Sequence, residues 1–144
     1  MTDTADLYGD VQRRTRLLRD TEVWAVVGLS ENAHRAAFGV ARFLQAHGKR
    51  IVPIHPSAST VHGERGYSTL ADALFEIGPI DVVDVFVNST KAGQIVDEAI
   101  AIGAGAIWMQ LGVVDEIAAA RARCAGLDTV MNHCPAIEWP RLIG

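Results

Sequence analysis

His133 and Cys134 adjoin near the carboxyl end of the chain, an imidazole beside a thiol. Nucleophilic thiol catalysis is the chemistry such a pair would do. Adjacent residues usually point in different directions, however, and Cys134 before Pro135 reads equally as a packed turn cysteine. The five histidines are scattered, and no H-E-x-x-H, Walker A or G-x-S-x-G pattern occurs. Asp81, Asp84, Asp97 and Glu98 read as strand-edge or helix-surface carboxylates and not as a paired acid–base site.

A different chemistry is signalled by VVGLSENAHRAAFGVARFL, Val26 to Leu44. An apolar run ends in Gly28, a polar loop follows, and a helix begins. Gly28 would let the backbone approach a phosphate, and the helix N-terminus would offer unpaired N–H groups and a favourable dipole. Ser30 adds a hydroxyl, and Arg35 can donate to phosphate in a planar fork. The alternative is that Gly28, Leu29 and Ser30 merely make a tight turn. The second and third glycines of G-x-G-x-x-G are replaced by Ser30 and Ala33. The acidic residue that holds a ribose about 20 residues further on is also missing, with His55, Pro56 and Ser57 in its place. These losses weigh against NAD.

The elements that must position these residues alternate along the chain. VWAVVGL, RIVPIHP, IDVVDVFVN, AIWMQLG and DTVMN read as strands. Pro53 lacks a ladder N–H and marks its strand as irregular or near an edge. Between the strands, AAFGVARFLQAHG, TLADALFEIG, TKAGQIVDEAIAIG and VDEIAAARARCAG read as helices, with Ser68 or Thr69 and Asn88 or Ser89 near caps. CPAIEWPRL makes a short terminal helix, and a further helix is expected from about Ala5 to Arg19. SASTVHGERGY is the place for an irregular or short edge element. Strands apolar on both faces alternating with helices predict a single doubly wound α/β domain, a Rossmann-like three-layer α/β/α sandwich over residues 21–144. Residues 1–20 form an N-terminal helical extension. In such sheets ligands lie at the carboxyl ends of the strands. The residues there, Gly28 to Ser30, His55 to Ser57, Val87 and Asn88, Gln110, and Asn132 to Cys134, are nearly all small or polar and uncharged.

Composition narrows the partners. The chain has 144 residues, 49% hydrophobic and 21% charged, as expected of a globular domain. A net charge of −4 argues against a nucleic-acid partner. The cationic run RRTRLLR, Arg13 to Arg19, reads as a solvated helix face. No secretory signal is expected, and the most apolar window, Ala99 to Val114, falls short of the roughly 18 apolar residues of a membrane span. Two cysteines give neither a disulfide framework nor a metal-ligand spacing, so a cytoplasmic protein with reduced thiols is expected.

Taken together, WAVVGLS, IVPIHP, DVVDVFVN, AIWMQLGV and TVMNHCPAIEWPRL resemble the small stand-alone CoA-binding proteins. These are similar to the N-terminal CoA-binding domain of the succinyl-CoA synthetase alpha subunit. The resemblance runs from about Thr21 to the C-terminus and implies a Rossmann-like fold that holds CoA, or an acyl-CoA, across the strand ends. It implies that Gly28, Leu29 and Ser30 meet the CoA phosphates with Arg35 assisting. Val87 and Asn88 would flank the adenine or its ribose, and Gln110 would lie near the pantetheine path. His55, Pro56 and Ser57 stand where the family commonly has Asn-Pro and then a basic residue, so the expected partner of the ribose 3′-phosphate is replaced by Ser57. The phosphohistidine of the synthetases belongs to a second domain, and none of the five histidines here takes that role. A non-catalytic carrier, sensor or regulatory module is expected, with a protein partner or a second copy as further partners. The alternatives are an acyl-CoA or thiol-dependent enzyme using Cys134, and an NAD(P)-sensing module.

Overall fold

Five short apolar strands, β1 (Val23–Val27), β2 (Arg50–Ile54), β3 (Val82–Val85), β4 (Ala106–Met109) and β5 (Asp128–Val130), alternate with helices in the computed structural model, which describes residues 4–144. The helices are α1 (Val11–Asp20), α2 (Ala36–Ala46), α3 (Leu70–Ile77), α4 (Ser89–Ala101), α5 (Glu116–Cys124) and α6 (Pro135–Leu142). All strand pairs are parallel, in the order β2-β1-β3-β4-β5. This is the doubly wound, Rossmann-like α/β/α fold that the alternation predicts.

Both faces of the sheet are buried because successive strand side chains point to opposite sides. Ala25, Val27, Val83, Val85, Ile107 and Met109 pack under α3, α4 and α5. Trp24, Val26, Val82 and Trp108 pack under α1, α2 and α6, and the two indoles meet with centroids 5.5 Å apart. Thr69 caps α3 through the Asp72 N–H, and Asp115 caps α5 through the Ala118 N–H.

Each sheet edge is covered. On β2, Tyr67 N–H donates to Pro53 O and His55 N–H to Tyr67 O, so residue 67 pairs with the outer side of the strand. The Pro53 carbonyl faces outward, and its missing N–H falls on that same side, away from β1. At the other edge the N-terminal segment lies against β5. Here the expected single helix is two pieces, a 3-10 turn (Thr4–Tyr8) and α1, while the start of the predicted extension, residues 1–3, lies outside the described residues. Gly9 breaks the helix at φ +85°, where a Cβ would sit 2.8 Å from Val130 Cγ2. Asp10 then caps α1 by accepting from Arg13 N–H. The basic run is only partly a solvated face: Leu17 and Leu18 are buried, and Arg13 and Arg14 turn inward. Arg13 donates to the Thr129 carbonyl at 2.9 Å.

Asp84 also departs from its expected place at a strand edge. It lies mid-strand on β3 with Val26 and Trp108 in register on either side, and it is fully buried. Neither carboxylate oxygen has a hydrogen-bond partner. Burial pushes its carboxyl well above the usual range.

Candidate functional site

The strand order reverses between β1 and β3, with α2 leaving β1 on one face and α4 leaving β3 on the other. That is the switch point at which doubly wound sheets receive ligands. The local sequence makes the turn after β1. Gly28 takes φ +102°, which L side chains avoid, and a Cβ there would lie 3.3 Å from Phe86 Cβ at the end of β3. Its N–H is spent on the Ile54 carbonyl at 2.8 Å, stitching the turn to β2. Leu29 is buried at 1% exposure, so its side chain serves the core and only its main chain can face a ligand. Ser30 Oγ accepts from Asn32 N–H, and Asn32 Oδ1 accepts from His34 N–H, which folds the loop back towards α2.

The helices at the switch point differ from the three whose N-termini are capped by Asp10, Thr69 and Asp115. The N-cap of α2 is Arg35, whose side chain makes no cap bond and is exposed. The N-cap of α4 is Asn88, and its Oδ1 is turned to the Thr90 hydroxyl instead of the helix amides. Phe38 N–H closes on the Arg35 carbonyl and Lys91 N–H on the Asn88 carbonyl, so the first two amides of each helix are left to solvent or to an anion, and the helix dipole favours the anion. Val87, half-buried, packs against the core beside Asn88.

At the end of β2 the chain makes a tight polar loop. His55 Nδ1 accepts from Ser57 N–H at 3.1 Å and lies 2.9 Å from Ser57 Oγ, and Ser59 Oγ donates to Ser57 Oγ at 2.9 Å. Because Nδ1 accepts from the amide, the neutral ring carries its proton on Nε2, a free donor. Pro56 and Ser57 are exposed. On the other side of the switch point, Gln110 N–H donates to Val85 O. Its side chain is 7% exposed, and Oε1 is a buried acceptor without a partner. Gln110 is thus brought next to β3, as the strand-end reading expects.

The His133–Cys134 pair is not brought together as base and nucleophile. The His133 ring turns to Glu138, with Nδ1 2.7 Å from Oε1, and Glu138 also accepts from Arg14. Burial and the Arg14 charge hold His133 below the usual imidazole range, against the opposing pull of Glu138. Cys134 is 7% exposed and packs in the Trp24–Trp108 cluster. An alkylating reagent at neutral pH is therefore expected to modify the exposed Cys124 well before Cys134. Faster labelling of Cys134, read by peptide mass spectrometry, would restore the nucleophile. Arg14 and Glu138 were not legible as partners in the sequence. The available signals were a cation three and four residues before Leu17 and Leu18 on one helix face, and a carboxylate in the first turn of α6. Among the described residues no cluster of His, Cys, Asp or Glu could hold a metal ion, and no helix is long and apolar enough to cross a membrane.

The chain is similar to known proteins over most of its length. The CoA binding domain family matches residues 22–140. The uncharacterized protein YneT of Bacillus subtilis is 30% identical over 118 residues, covering 82% of this chain and 85% of that protein. A hypothetical protein from Pyrococcus horikoshii superposes with a TM-score of 0.88 at 31% identity, over 100% of both chains. The acetyl-coenzyme A synthetase of Ca. Korarchaeum cryptofilum in its apo form has a TM-score of 0.65 at 22% identity, covering 78% of this chain and 26% of that one, a likeness of fold.

Proposed function

The chain belongs to the CoA-binding domain family, and from that membership we propose that it holds CoA or an acyl-CoA at the carboxyl edge of its sheet, without catalysis. The observation that carries the reading is that α2 and α4, the helices on either side of the β1–β3 switch point, both begin without a side-chain cap, as α6 also does. A diphosphate fits there, with the Ser30 hydroxyl and the Arg35 guanidinium as added donors. Val87 and Asn88 then border the adenosine. Gln110 Oε1, buried without a donor, suits an amide N–H of the pantetheine arm. That a synthetase named for acetyl-CoA contains the same fold is consistent with this ligand class.

A carrier, sensor or regulatory role is favoured over a thiol-dependent enzyme by the burial of Cys134 and by the attachment of His133 to Glu138. An NAD(P) sensor is disfavoured by the uncharged end of β2. The unpaired cysteines suit a reducing, cytoplasmic setting. Calorimetric titration of ligand-stripped protein with CoA, dephospho-CoA, NAD and ATP is expected to rank CoA first. Gln110→Leu is expected to weaken CoA roughly five- to tenfold, the effect of one lost hydrogen bond. Equal millimolar responses to all four ligands would overturn the assignment.

A further inference from the structure

Helix α3 turns one face to the core and leaves the other open. Leu70 and Ala73 are buried, while Ala71, Asp72, Phe75 and Glu76 recur at the spacing of a single exposed stripe. Phe75 is 89% exposed, the most open of the large apolar side chains among the described residues. A lone exposed apolar residue is ordinary on a protein surface. Phe75 does not stand alone. It borders a cavity of about 240 Å³ that Arg65, Tyr67, Asp72 and Glu76 also line.

The far wall of that hollow is set by Gly66. A Cβ there would lie 2.2 Å from the Ser59 carbonyl oxygen, so the segment outside β2 makes this approach because residue 66 has no side chain. Next to it, the Arg65 guanidinium lies over the Tyr67 ring, 5.1 Å from the centroid. Its ion pair with Glu76 spans 3.9 Å between side chains 69% and 47% exposed, a geometry worth little in water. Asp72 sets a second carboxylate on the same helix wall, one turn before Glu76. One small patch thus carries an aromatic knob, a hollow beside it, a cation and two acids, with the charges largely left to water.

A two-fold axis lays a patch on its own copy, so a patch that docks this way must carry both members of every contact. This one does. We propose that the open face of α3, with Arg65 beside it, is a docking surface for a second copy of this chain. With the two α3 helices crossing at the axis, Phe75 of each copy enters the hollow of the other. Arg65 of each copy faces Asp72 and Glu76 of the other, exchanging an exposed pair for one shielded by aromatic rings. Ala71, with its short side chain, lets the helices come close. The surface is an eight-residue helix and one flanking segment, so the dimer is of the weak, reversible kind. It contains none of the residues assigned to CoA, and it stands or falls independently of that ligand.

The test is sedimentation velocity over a range of protein concentrations for wild type, Phe75→Asp, Arg65→Glu and Glu76→Arg, with thermal melts to establish that each variant is folded. Wild type is expected to dimerise with a Kd of about 10–100 μM, as suits an interface below standard size. Phe75→Asp is expected to weaken the dimer by about thirtyfold or more, the effect of losing a central aromatic anchor. Arg65→Glu and Glu76→Arg each place like charges across the axis, and each alone is expected to weaken it by about tenfold. An equal mixture of Arg65→Glu and Glu76→Arg restores opposite charges at both contacts, and is expected to dimerise nearly as well as wild type. A wild type that stays monomeric at millimolar concentration would leave the face to a partner of another kind and overturn the proposal. So would a dimer insensitive to Phe75→Asp, which would lie on another face. A mixture that dimerises no better than its components would show that Arg65 and Glu76 do not meet across an axis, and is the third overturning result.

Discussion

Arg14→Met is expected to destabilise the fold by about 3–5 kcal/mol, the range found when one partner of a buried ion pair is removed. The side chains of Arg14 and Glu138 are only 14% and 5% exposed, and the pair joins α1 to α6. Without the guanidinium, Glu138 keeps only His133 close by, since Arg141 stands 3.9 Å off and is largely exposed. The pH dependence gives the loss a signature. In the wild type the folded His133 lies below its usual value, so its contribution to stability is present above the unfolded imidazole range and is lost as pH falls through the folded value. Arg14 is one cause of that depression. Burial is the larger cause and remains when Arg14 is removed, but the His133 value rises, so less of that contribution is lost at low pH. The deficit of Arg14→Met should therefore be smaller at pH 5.5 than at pH 8 in urea unfolding. A midpoint unchanged by the substitution would show that the pair does not hold α1 and α6.

Asp84→Leu, by contrast, is expected to raise stability by about 2–3 kcal/mol at pH 8, the size of the penalty for a buried polar group without a partner. The carboxyl lies between Val26 and Trp108 with nothing to bond to, and Leu is close to it in reach. Burial raises the folded value, so the native state holds a proton that the unfolded chain releases. For a group of this kind the stabilising contribution is complete below the unfolded carboxyl value, about pH 4, and is lost as pH rises towards the folded one. The advantage of Asp84→Leu should accordingly grow from pH 4 to pH 8. A variant less stable than wild type would show that the Asp84 carboxyl anchors a polar partner.

These two residues also mark the limit of what could be read along the chain. The strands were legible because burial on both faces writes continuous apolar runs, and the start of α3 at Ser68 or Thr69 because a cap is a local event. Pro53 at an edge followed from its own missing donor. Asp84 carries no such local mark: its burial depends on β1 and β4 lying either side of β3, a consequence of strand order. The link between Arg14 and Glu138 joins residues 124 apart, beyond any periodicity. Gly9–Asp10 was a readable break and cap, masked by the helical run after it.

At the switch point, position was legible and detail was not. Strand ends could be named in advance, and Gly28, His55, Asn88 and Gln110 do converge on one edge. That Leu29 faces the core follows from the turn at Gly28, and the path of the segment outside β2 follows from Gly66 packed against the Ser59 carbonyl. Both are tertiary facts.

The attachment of the N-terminal segment to β5 has a consequence for synthesis on the ribosome. Arg13 waits for Thr129, and Arg14 for Glu138, which are 116 and 124 residues later in the chain. At about 5–20 residues per second these contacts lie roughly 6–25 seconds in the future when the arginines are polymerised. Through that interval Leu7, Leu17 and Leu18 have no sheet to cover them, and the nascent chain offers them to chaperones. Closure of the domain is thus timed by its last strand and last helix, and a ribosome stalled before Asp128 would hold a chain with its opening residues unshielded.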